Sequence, residues 1–487
     1  MQKSPLRCHN GRVGLMLLTA LTVPLVFTPA SETWAEPSSL LIDTARLVGF
    51  SKPEPAIQMG VSLLIRDGTI ATVLPAGETA PADTRIDATG LTVIPGLTDM
   101  HVHLWDQAEL GAYLGSGITT VRNMSGMPFH LRLAQQIDAG QLNGPRILTS
   151  GPILNSNGPN EQVNHQIVND ETAARKAVAQ QYESGFRRLK VYSNLSQEAY
   201  EAILDEATRR KMMITGHSPE GIRSEGIPRD KPFAIAFEKI LDDGFESIEH
   251  VETIVWHGLR NRRDEEAART LAQRIRDAQV AVTPTLIAYY NLLRVAQTHG
   301  EAVHRAGTEW LNPLEQATEQ DNFTFWANQP TAPLERNTAF FADFTQLLKQ
   351  EGVMLITGTD SGIFSNPPGY SLHEELGLLV DAGLTPYDAL QAATWNPAMV
   401  LGETDVHGCL NAGCAADLVL YACDPLAEIS CVQHPVAVVR AGHYFDAEAL
   451  QSLRDSAARH DMARTLENVQ NGLRAQGSDI DLQQLME

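Results

Sequence analysis

The sequence predicts an α/β fold: a (β/α)8 TIM barrel joined to a small composite β-sandwich domain built from both chain ends. Three observations lead to this prediction. The chain has 487 residues, 43% hydrophobic and 20% charged, which is ordinary for a soluble globular protein with one large core or two smaller ones. From Leu97 onward, short apolar segments alternate with helix-like segments over about 300 residues. Strand-like alternation stands before and after this region.

We divide the chain into five predicted segments. The first is a signal peptide, the second and fourth are the two parts of the β-domain, the third is the barrel, and the fifth is a helical tail. Their limits are 1–35, 36–94, 95–401, 402–446 and 447–487.

The first segment has the order of a secretory signal peptide. Lys3, Arg7 and Arg12 precede the apolar run "VGLMLLTALTVPLVF". Small Ala35 then stands in "ETWAEP". A membrane anchor is the alternative, but the run is shorter than the roughly 20 apolar residues that span a bilayer, and it contains Pro24. We expect cleavage after Ala35 and a secreted or periplasmic protein without a membrane segment.

The β-domain is predicted from alternating segments at both ends of the remaining chain. "SLLIDTARLVGF" and "VSLLIRDGTIATVLPAG" come before the barrel, and "RDGTI" is typical of a hairpin turn. "GCAADLVLYAC" and "VAVVRAGHYF" follow it and would complete the same sheet.

Eight strands of the predicted barrel follow one another with helical segments between them. The longest gap lies between the seventh and eighth strands and contains "NPLEQATEQDNFTFWANQPTAPLERN", either a wall of the active-site pocket or a surface excursion. The strands are "LTDMHVHL", "GITTVRNM", "RILTSGP", "RRLKVYS", "MMITGHS", "ESIEHVE", "VAVTPTL" and "VMLITGTDSG".

The formal charge of −22 argues against a nucleic-acid partner or an anionic membrane surface, because phosphate binding needs clustered Lys and Arg. The chain also lacks a glycine-rich phosphate loop after any predicted strand.

Four cysteines remain after the signal segment, and an even number in an exported chain indicates disulfides. Local pairing, Cys409 with Cys414 and Cys423 with Cys431, is favoured among three connectivities. A four-thiolate zinc site and free thiols are the alternatives, although neither pair has the Cys-x-x-Cys spacing of zinc sites.

Candidate metal ligands stand at the ends of predicted strands. His101 and His103 are two apart and therefore share one face of the first strand. Lys190, His217, His250 and Asp360 end the fourth, fifth, sixth and eighth strands, where a parallel barrel gathers its chemistry. Each histidine alone is compatible with an ordinary core position, but their joint order indicates a metal site.

These motifs resemble the amidohydrolase superfamily. The resemblance rests on "VIPGLTDMHVHL", Lys190, "GHS", "IEH" and "GTDSG", and it covers roughly residues 38 to 445. "GITTVRNM", "VTPTL", "AGLTPYDALQAATWNPAMVLG" and "GCAADLVLYACDPL" are similar to its branch of imidazolonepropionases and Xaa-Pro dipeptidases. The resemblance implies two divalent metal ions, a carboxylated lysine, and the ligands His101, His103, Lys190, His217, His250 and Asp360.

The chemistry of this ligand set is consistent with the resemblance. An ammonium group has no acceptor, so Lys190 would bind metal only as the carbamate formed with CO2. Imidazoles with carboxylate and carbamate favour Zn²⁺, with Mn²⁺, Co²⁺ or Fe²⁺ as alternatives. The hypothesis is that a metal-bridging hydroxide attacks an amide carbonyl while Asp360 transfers its proton to the leaving amine.

The implied substrate is a small-molecule amide or dipeptide, with peptides and N-acyl amino acids as the classes expected. Tyr192 and His165 are candidates for contact with a substrate carboxylate. Arg188 is a third candidate, which a buried position inside the barrel would exclude from contact with substrate. Relatives of this kind form oligomers, so a homo-oligomer is an expectation without a fixed number.

Three alternatives stay open at this stage. The same metal centre could hydrolyse a lactam, ester, lactone or phosphotriester. A metal-bearing binding protein without catalysis is the second alternative, and the intact ligand set with Asp360 argues against it. A single-metal deaminase is the third, and it would leave Lys190 without a role.

Overall fold

The protein has an α/β architecture of parallel sheets and one eight-stranded mixed sheet, connected by helices. The computed structural model describes residues 39–158, 161–222, 233–363 and 365–482, all within one compact unit. The predicted signal peptide lies outside the described residues. The predicted α/β class is confirmed, whereas the domain limits stay predictions. Among the described residues, no helix combines the length and apolar character needed to cross a membrane.

The described strands in chain order are β1 (Leu40–Gly49), β2 (Ala56–Arg66), β3 (Thr69–Leu74), β4 (Thr84–Asp87), β5 (Thr92–Pro95), β6 (Leu97–Val102), β7 (Ile118–Asn123), β8 (Arg146–Thr149), β9 (Ile153–Asn155), β10 (His165–Ile167), β11 (Arg188–Val191), β12 (Met213–Gly216), β13 (Phe245–Glu249), β14 (Ala281–Thr283), β15 (Leu418–Tyr421), β16 (Pro435–Arg440) and β17 (His443–Asp446).

The described α-helices in chain order are α1 (Leu110–Gly115), α2 (Pro128–Asp138), α3 (Glu171–Glu183), α4 (Gln197–Arg210), α5 (Phe237–Ile240), α6 (Val251–Leu259), α7 (Glu265–Asp277), α8 (Leu286–Gln297), α9 (Pro313–Thr318), α10 (Gln320–Ala327), α11 (Thr331–Gln350), α12 (Tyr370–Asp381), α13 (Pro386–Ala392), α14 (Trp395–Leu401), α15 (Ala447–Ala457) and α16 (Met462–Ala475).

Strands from both ends of the described chain form one eight-stranded sheet of order β17-β16-β15-β5-β1-β2-β3, with β4 also paired to β1. The two ends meet where β15 runs antiparallel to β5, with Leu418 opposite Pro95. The sheet thus combines the two ends as the sequence predicts. It differs from the predicted sandwich, because β1 pairs with β2 along one edge and with β4 and then β5 along the other. All eight strands therefore belong to one hydrogen-bonded sheet.

Two disulfides join the four cysteines of this region. One links Cys409 to Cys414 and the other links Cys423 to Cys431. The predicted local pairing is confirmed, and the alternatives of a four-thiolate zinc site and of free thiols are wrong.

The parallel strands carry the predicted ligands. They form two sheets of order β6-β7-β8 and β10-β9-β11-β12-β13-β14. The segment after α11 touches the outer strands of both sheets through single bridges. Leu355 pairs with Val282 of β14, and Ser361 pairs with Val102 of β6. This segment therefore links the two sheets at the edge where the ligands gather.

The predicted eighth strand, "VMLITGTDSG", is a bridging segment and not a regular strand. Single bridges join it to β14 and β6, and the Asp360 N–H donates to the His101 carbonyl of β6. The Thr357 N–H donates instead to the Ala392 carbonyl, outside both strands. Asp360 also has a φ of 56°, which departs from extended backbone. The other seven predicted segments form strands, and the short strands β9 and β10 are additional to the prediction.

The predicted helical tail packs back on the start of the parallel sheets. Glycine lets α15 approach α1 closely, because a Cβ at Gly111 would lie 2.3 Å from the Leu453 carbonyl oxygen. The guanidinium of Arg464 in α16 donates to both carboxylate oxygens of Asp106 at 2.7 and 2.6 Å. The Asp106 side chain is fully buried and lies three residues after His103. The tail is thus anchored to the loop that leaves the first parallel strand.

Arg464→Ala should lower the free energy of unfolding by about 1–3 kcal/mol, because the buried Asp106 carboxylate loses its charged donor. Urea denaturation followed by circular dichroism measures this change. The exposed Arg459 of the same tail is the control, and Arg459→Ala should stay within about 0.5 kcal/mol of the parent. An Arg464→Ala protein as stable as the parent would contradict the anchoring.

Candidate functional site

The carboxyl ends of the parallel strands bring the predicted ligands together. His101 lies in β6, His103 follows it, and Lys190 lies in β11. His217 and His250 directly follow β12 and β13. Parallel pairing places neighbouring strand ends at one edge, since Lys190 of β11 lies opposite Thr215 of β12.

Four of the predicted residues meet at short distances. Asp360 Oδ1 lies 2.9 Å from His103 Nε2 and 3.2 Å from His101 Nε2. Lys190 Nζ lies 3.0 Å from the same His101 nitrogen. The ligand atoms of His101, His103 and Asp360 all lie within 4.8 Å of one another, so this group could hold a metal ion.

The two remaining histidines complete the cluster. The ring of His250 lies 4.6 Å from the rings of both His101 and His217, measured between centroids. In the described part of the chain, His217 Nδ1 is buried without a hydrogen-bond partner. His250 has a φ of 67° and Asp360 one of 56°. Two of the six predicted ligands therefore adopt a left-handed backbone conformation that residues other than glycine rarely take. The structure thus brings all six predicted ligands together.

Burial favours the neutral form of three of the imidazoles, and the neutral form is the one that binds metal. It lowers the pKa of His103 to about 4 and that of His250 to about 3, and it lowers the pKa of His217 well below the ordinary value. Burial also lowers the pKa of Lys190 to about 8, although Asp360 acts to raise it.

Asp360 stays ionised in this environment. Burial alone would raise its pKa, but the adjacent His101 and hydrogen bonds to His101 and His103 hold the pKa well below the ordinary value. The cluster therefore contains one ionised carboxylate, several imidazole nitrogens that can bind metal, and one buried amine.

Glu249 is a functional residue that the sequence analysis missed. Its Oε2 accepts from His101 Nδ1 at 2.8 Å, and this bond directs the Nε2 atom of His101 toward Asp360 and Lys190. Its Oε1 accepts from the Arg122 guanidinium at 2.8 Å and from two hydroxyl groups. The signal was present, because Glu249 is the charged residue of "IEH" and Arg122 interrupts the apolar strand "GITTVRNM".

Two glycines are required beside the ligands. A Cβ at Gly358 would lie 2.7 Å from the Cβ of His101, and one at Gly362 would lie 1.9 Å from the His103 carbonyl oxygen. Gly362 also has a φ of 90°. The glycines of "GTDSG" therefore allow the bridging segment to approach the first histidine pair.

A cavity of about 290 Å3 opens onto the cluster. Its floor includes His103, Lys190, His217 and Asp360. The insertion predicted as either a pocket wall or a surface excursion is a wall, since part of it lines the cavity. The other residues that line the cavity are Trp105, Ile153, Gln162, Val163, Asn164, Tyr192, Leu314, Glu315, Thr318, Glu319, Asn322, Ile363, Val469, Leu473 and Leu482.

The predicted substrate contacts occupy different positions. Tyr192 lines the cavity, with its ring 4.0 Å from that of His217. His165 lies 4.6 Å from Tyr192 between ring centroids but lines a neighbouring cavity of about 420 Å3. Arg188 bonds to Glu246 inside the parallel sheets, at 2.6 and 2.7 Å, and is thereby removed as a substrate cation.

Comparisons with known proteins agree with this arrangement. An imidazolonepropionase from Salinispora arenicola is 37% identical over 97 residues, which are 17% of this chain and 25% of that protein. The match thus spans only a quarter of the relative's length. Among solved structures, a candidate prolidase from Bifidobacterium longum is 26% identical with a TM-score of 0.64, covering 87% of this chain and 100% of the other. A bottromycin amidohydrolase is 25% identical with a TM-score of 0.68, covering 87% and 92%.

The family match covers most of the chain. Residues 92–443 match the Amidohydrolase family, and they include all six predicted ligands. The resemblance predicted from the sequence is confirmed. The chain belongs to the amidohydrolase family.

Proposed function

We propose that the protein is a metal-dependent hydrolase that cleaves the amide bond of a dipeptide or an N-acyl amino acid with a pair of divalent ions. One observation carries the proposal: the ligand atoms of His101, His103 and Asp360 converge with the Lys190 amine at the base of a cavity. Two similar solved structures are named as a prolidase and a bottromycin amidohydrolase, which supports the same class.

The donor set fits divalent metal. Neutral imidazoles and one carboxylate suit Zn²⁺, and Mn²⁺, Co²⁺ or Fe²⁺ are alternatives. His217 Nδ1 lacks a partner among the described residues, as expected for a ring whose place is set by a ligand. Lys190 would join the set as a carbamate made from CO2, and its lowered pKa favours the neutral amine that reacts. In this proposal the six predicted ligands hold the ions.

When bound, two divalent ions would polarise the substrate carbonyl and lower the pKa of water to about 7. The Asp360 carboxylate is ionised and faces the cavity, so it accepts the proton of the attacking water and returns it to the leaving nitrogen. The carbonyl carbon gains the water oxygen, and the carbon–nitrogen bond breaks. Tyr192 lines the path to this carbon and is proposed to orient the substrate, with His165 behind it.

The fold and the compartment complete the proposal. We propose that the two parallel sheets and the bridging segment from Leu355 to Ser361 form one (β/α)8 barrel, supported by the bridges at both outer strands. We propose export to the periplasm or the medium, supported by the signal-like start and by two disulfides, which are typical of oxidising compartments. The substrate is a small molecule that fits a cavity of about 290 Å3.

Asp360→Asn should lower kcat at least 1,000-fold while the protein keeps its metal, because the amide removes the proton acceptor. The measurement is hydrolysis of a panel of dipeptides and N-acyl amino acids by ninhydrin detection, with metal content by mass spectrometry. Near-parental turnover at full metal content would contradict the assignment of Asp360. A parent protein that hydrolyses no amide of the panel would contradict the proposed function itself.

Lys190→Ala should reduce bound metal from two ions toward one per chain, because one of the six proposed ligands is lost. Added acetate or propionate should restore part of the metal content and activity by entering the vacated space. Lys176→Ala changes an exposed lysine and is the matched control, expected to keep both ions. Two bound ions in Lys190→Ala without any added carboxylate would contradict the role of Lys190 as a metal ligand.

Glu249→Gln should weaken metal retention about 10- to 100-fold, because Gln has one acceptor oxygen where Glu249 uses two. A Gln oxygen held by Arg122 and the two hydroxyl groups turns its NH2 group toward His101. Competition with a chromogenic chelator measures this affinity. Glu246→Gln is the matched control, since Glu246 also accepts from Arg122 but does not touch His101. Equal losses in both variants would show that the Arg122 network matters and the His101 contact does not.

A further inference from the structure

We infer that the C-terminal tail forms the apolar wall of the substrate cavity and selects substrates with an apolar side chain beside the scissile bond. The inference rests on the proposed function for the bond that is cleaved. Val469 and Leu473 of α16 and Leu482 beyond it line the same cavity as Asp360. The family match ends at residue 443, so this wall lies outside the matched region.

Leu482 is turned back toward the cavity by one glutamine of α16. The Gln470 side-chain amide donates to the Ile480 carbonyl at 2.8 Å, and its oxygen accepts from the Leu482 N–H at 3.0 Å. Both bonds use the same side chain, so the chain after the helix runs back along it. Leu482 is only 4% exposed. Gln470 is therefore a positioning residue for the wall.

Close packing fixes α16 beside the loop that follows β7. A Cβ at Gly472 would lie 2.5 Å from Met127 Sδ, so this glycine sets the approach of the helix. The Asn312 side-chain amide donates to Thr465 Oγ1 at 3.3 Å and joins the helix to the start of α9. These contacts and the Arg464–Asp106 pair hold the wall at a set distance from the metal ligands.

Apolar side chains face the tail from other elements. Leu314 of α9 and Ile363 line the cavity, and Trp105 is held there by donating its indole N–H to the Gly362 carbonyl at 2.7 Å. Val163 also lines the cavity and is 46% exposed, an apolar side chain left uncovered where substrate would lie. The polar floor and apolar walls give a cavity that fits an amide with an apolar group.

Acidic residues of the insertion limit the substrates that this cavity accepts, since Glu315 lines it as well as Glu319. Glu319 lines it on the side of the insertion and accepts from Asn322 Nδ2 at 2.6 Å. A carboxylate on the substrate side chain would meet this charge at short range. Aspartyl and glutamyl side chains are therefore disfavoured relative to leucyl side chains of similar size.

The test uses the full metal-loaded protein and two substrate series. N-acetyl, N-butanoyl and N-hexanoyl alanine vary the acyl side, and N-acetyl alanine, valine and leucine vary the amine side. In the series whose variable group lies against the tail, on either the acyl or the amine side, kcat/KM should rise about fourfold for each added methylene. Leu482→Ala, Val469→Ala and Gln470→Ala should each lower the ratio of the largest to the smallest substrate about tenfold, through KM and not kcat.

Leu466→Ala is the matched control on the same helix. Leu466 packs against the core and does not line the cavity, so this variant should lower the melting temperature without changing the ratio. Flat ratios in the parent, or ratios unchanged in all three wall variants, would overturn the inference while leaving amide hydrolysis intact.

A binding measurement separates the two proposals if no amide is cleaved. Calorimetric titration of the metal-loaded protein with acetate, butanoate, hexanoate and octanoate should show affinity rising with chain length. Leu482→Ala should remove most of that rise, and Leu466→Ala should keep it. Affinity independent of chain length in the parent would overturn the apolar wall, whatever the reaction is.

Discussion

The hydrogen bond between His101 and Glu249 is the contact on which the site depends. Both side chains are fully buried, and the carboxylate also accepts from the Arg122 guanidinium. Burial acts to raise the pKa of Glu249, but Arg122 and His101 hold it well below the ordinary value. A buried carboxylate is stable only when its oxygens are paired, so this group joins β13 to β6 and β7 by charge. The orientation of the first ligand is thus set inside the sheets, before any metal binds.

Strain is concentrated at the same carboxyl ends of the strands. His250 and Asp360 take left-handed φ values, and the neighbouring backbone compensates through bonds such as that from the His250 N–H to the Thr283 carbonyl. Asp99 contributes to this support, since its carboxylate accepts from both the hydroxyl and the N–H of Thr359. Residues in sparsely populated backbone regions persist where the surroundings over-determine them, and they cluster at functional sites. These two backbone conformations thus lower the stability of the fold and direct two side chains toward the same point.

The sequence was sufficient to bring the predicted ligands together and insufficient for their supports. His101, Lys190 and His217 could be placed at one edge because strand periodicity and strand ends are local properties of the chain. The charge of Glu249 is visible in the sequence, but its pairing is not, because Arg122 and His101 lie more than a hundred residues away and only the fold shows which buried groups meet. The regular eighth strand was wrong for a similar reason. Its apolar pattern was read correctly, but it joins β14 and β6 only through single bridges.

The tail shows how charge and packing share one task. Its composition is polar, yet Val469 and Leu473 are buried against a cavity that the sheets alone would leave open. The anchors of α16 are polar and lie at its start, whereas the side chains that meet the cavity are apolar and lie in its second half. Separating the two lets apolar residues change without loosening the helix. An amidohydrolase with a rigid floor of histidine, lysine and aspartate side chains and a replaceable wall can therefore alter its substrate without altering its chemistry.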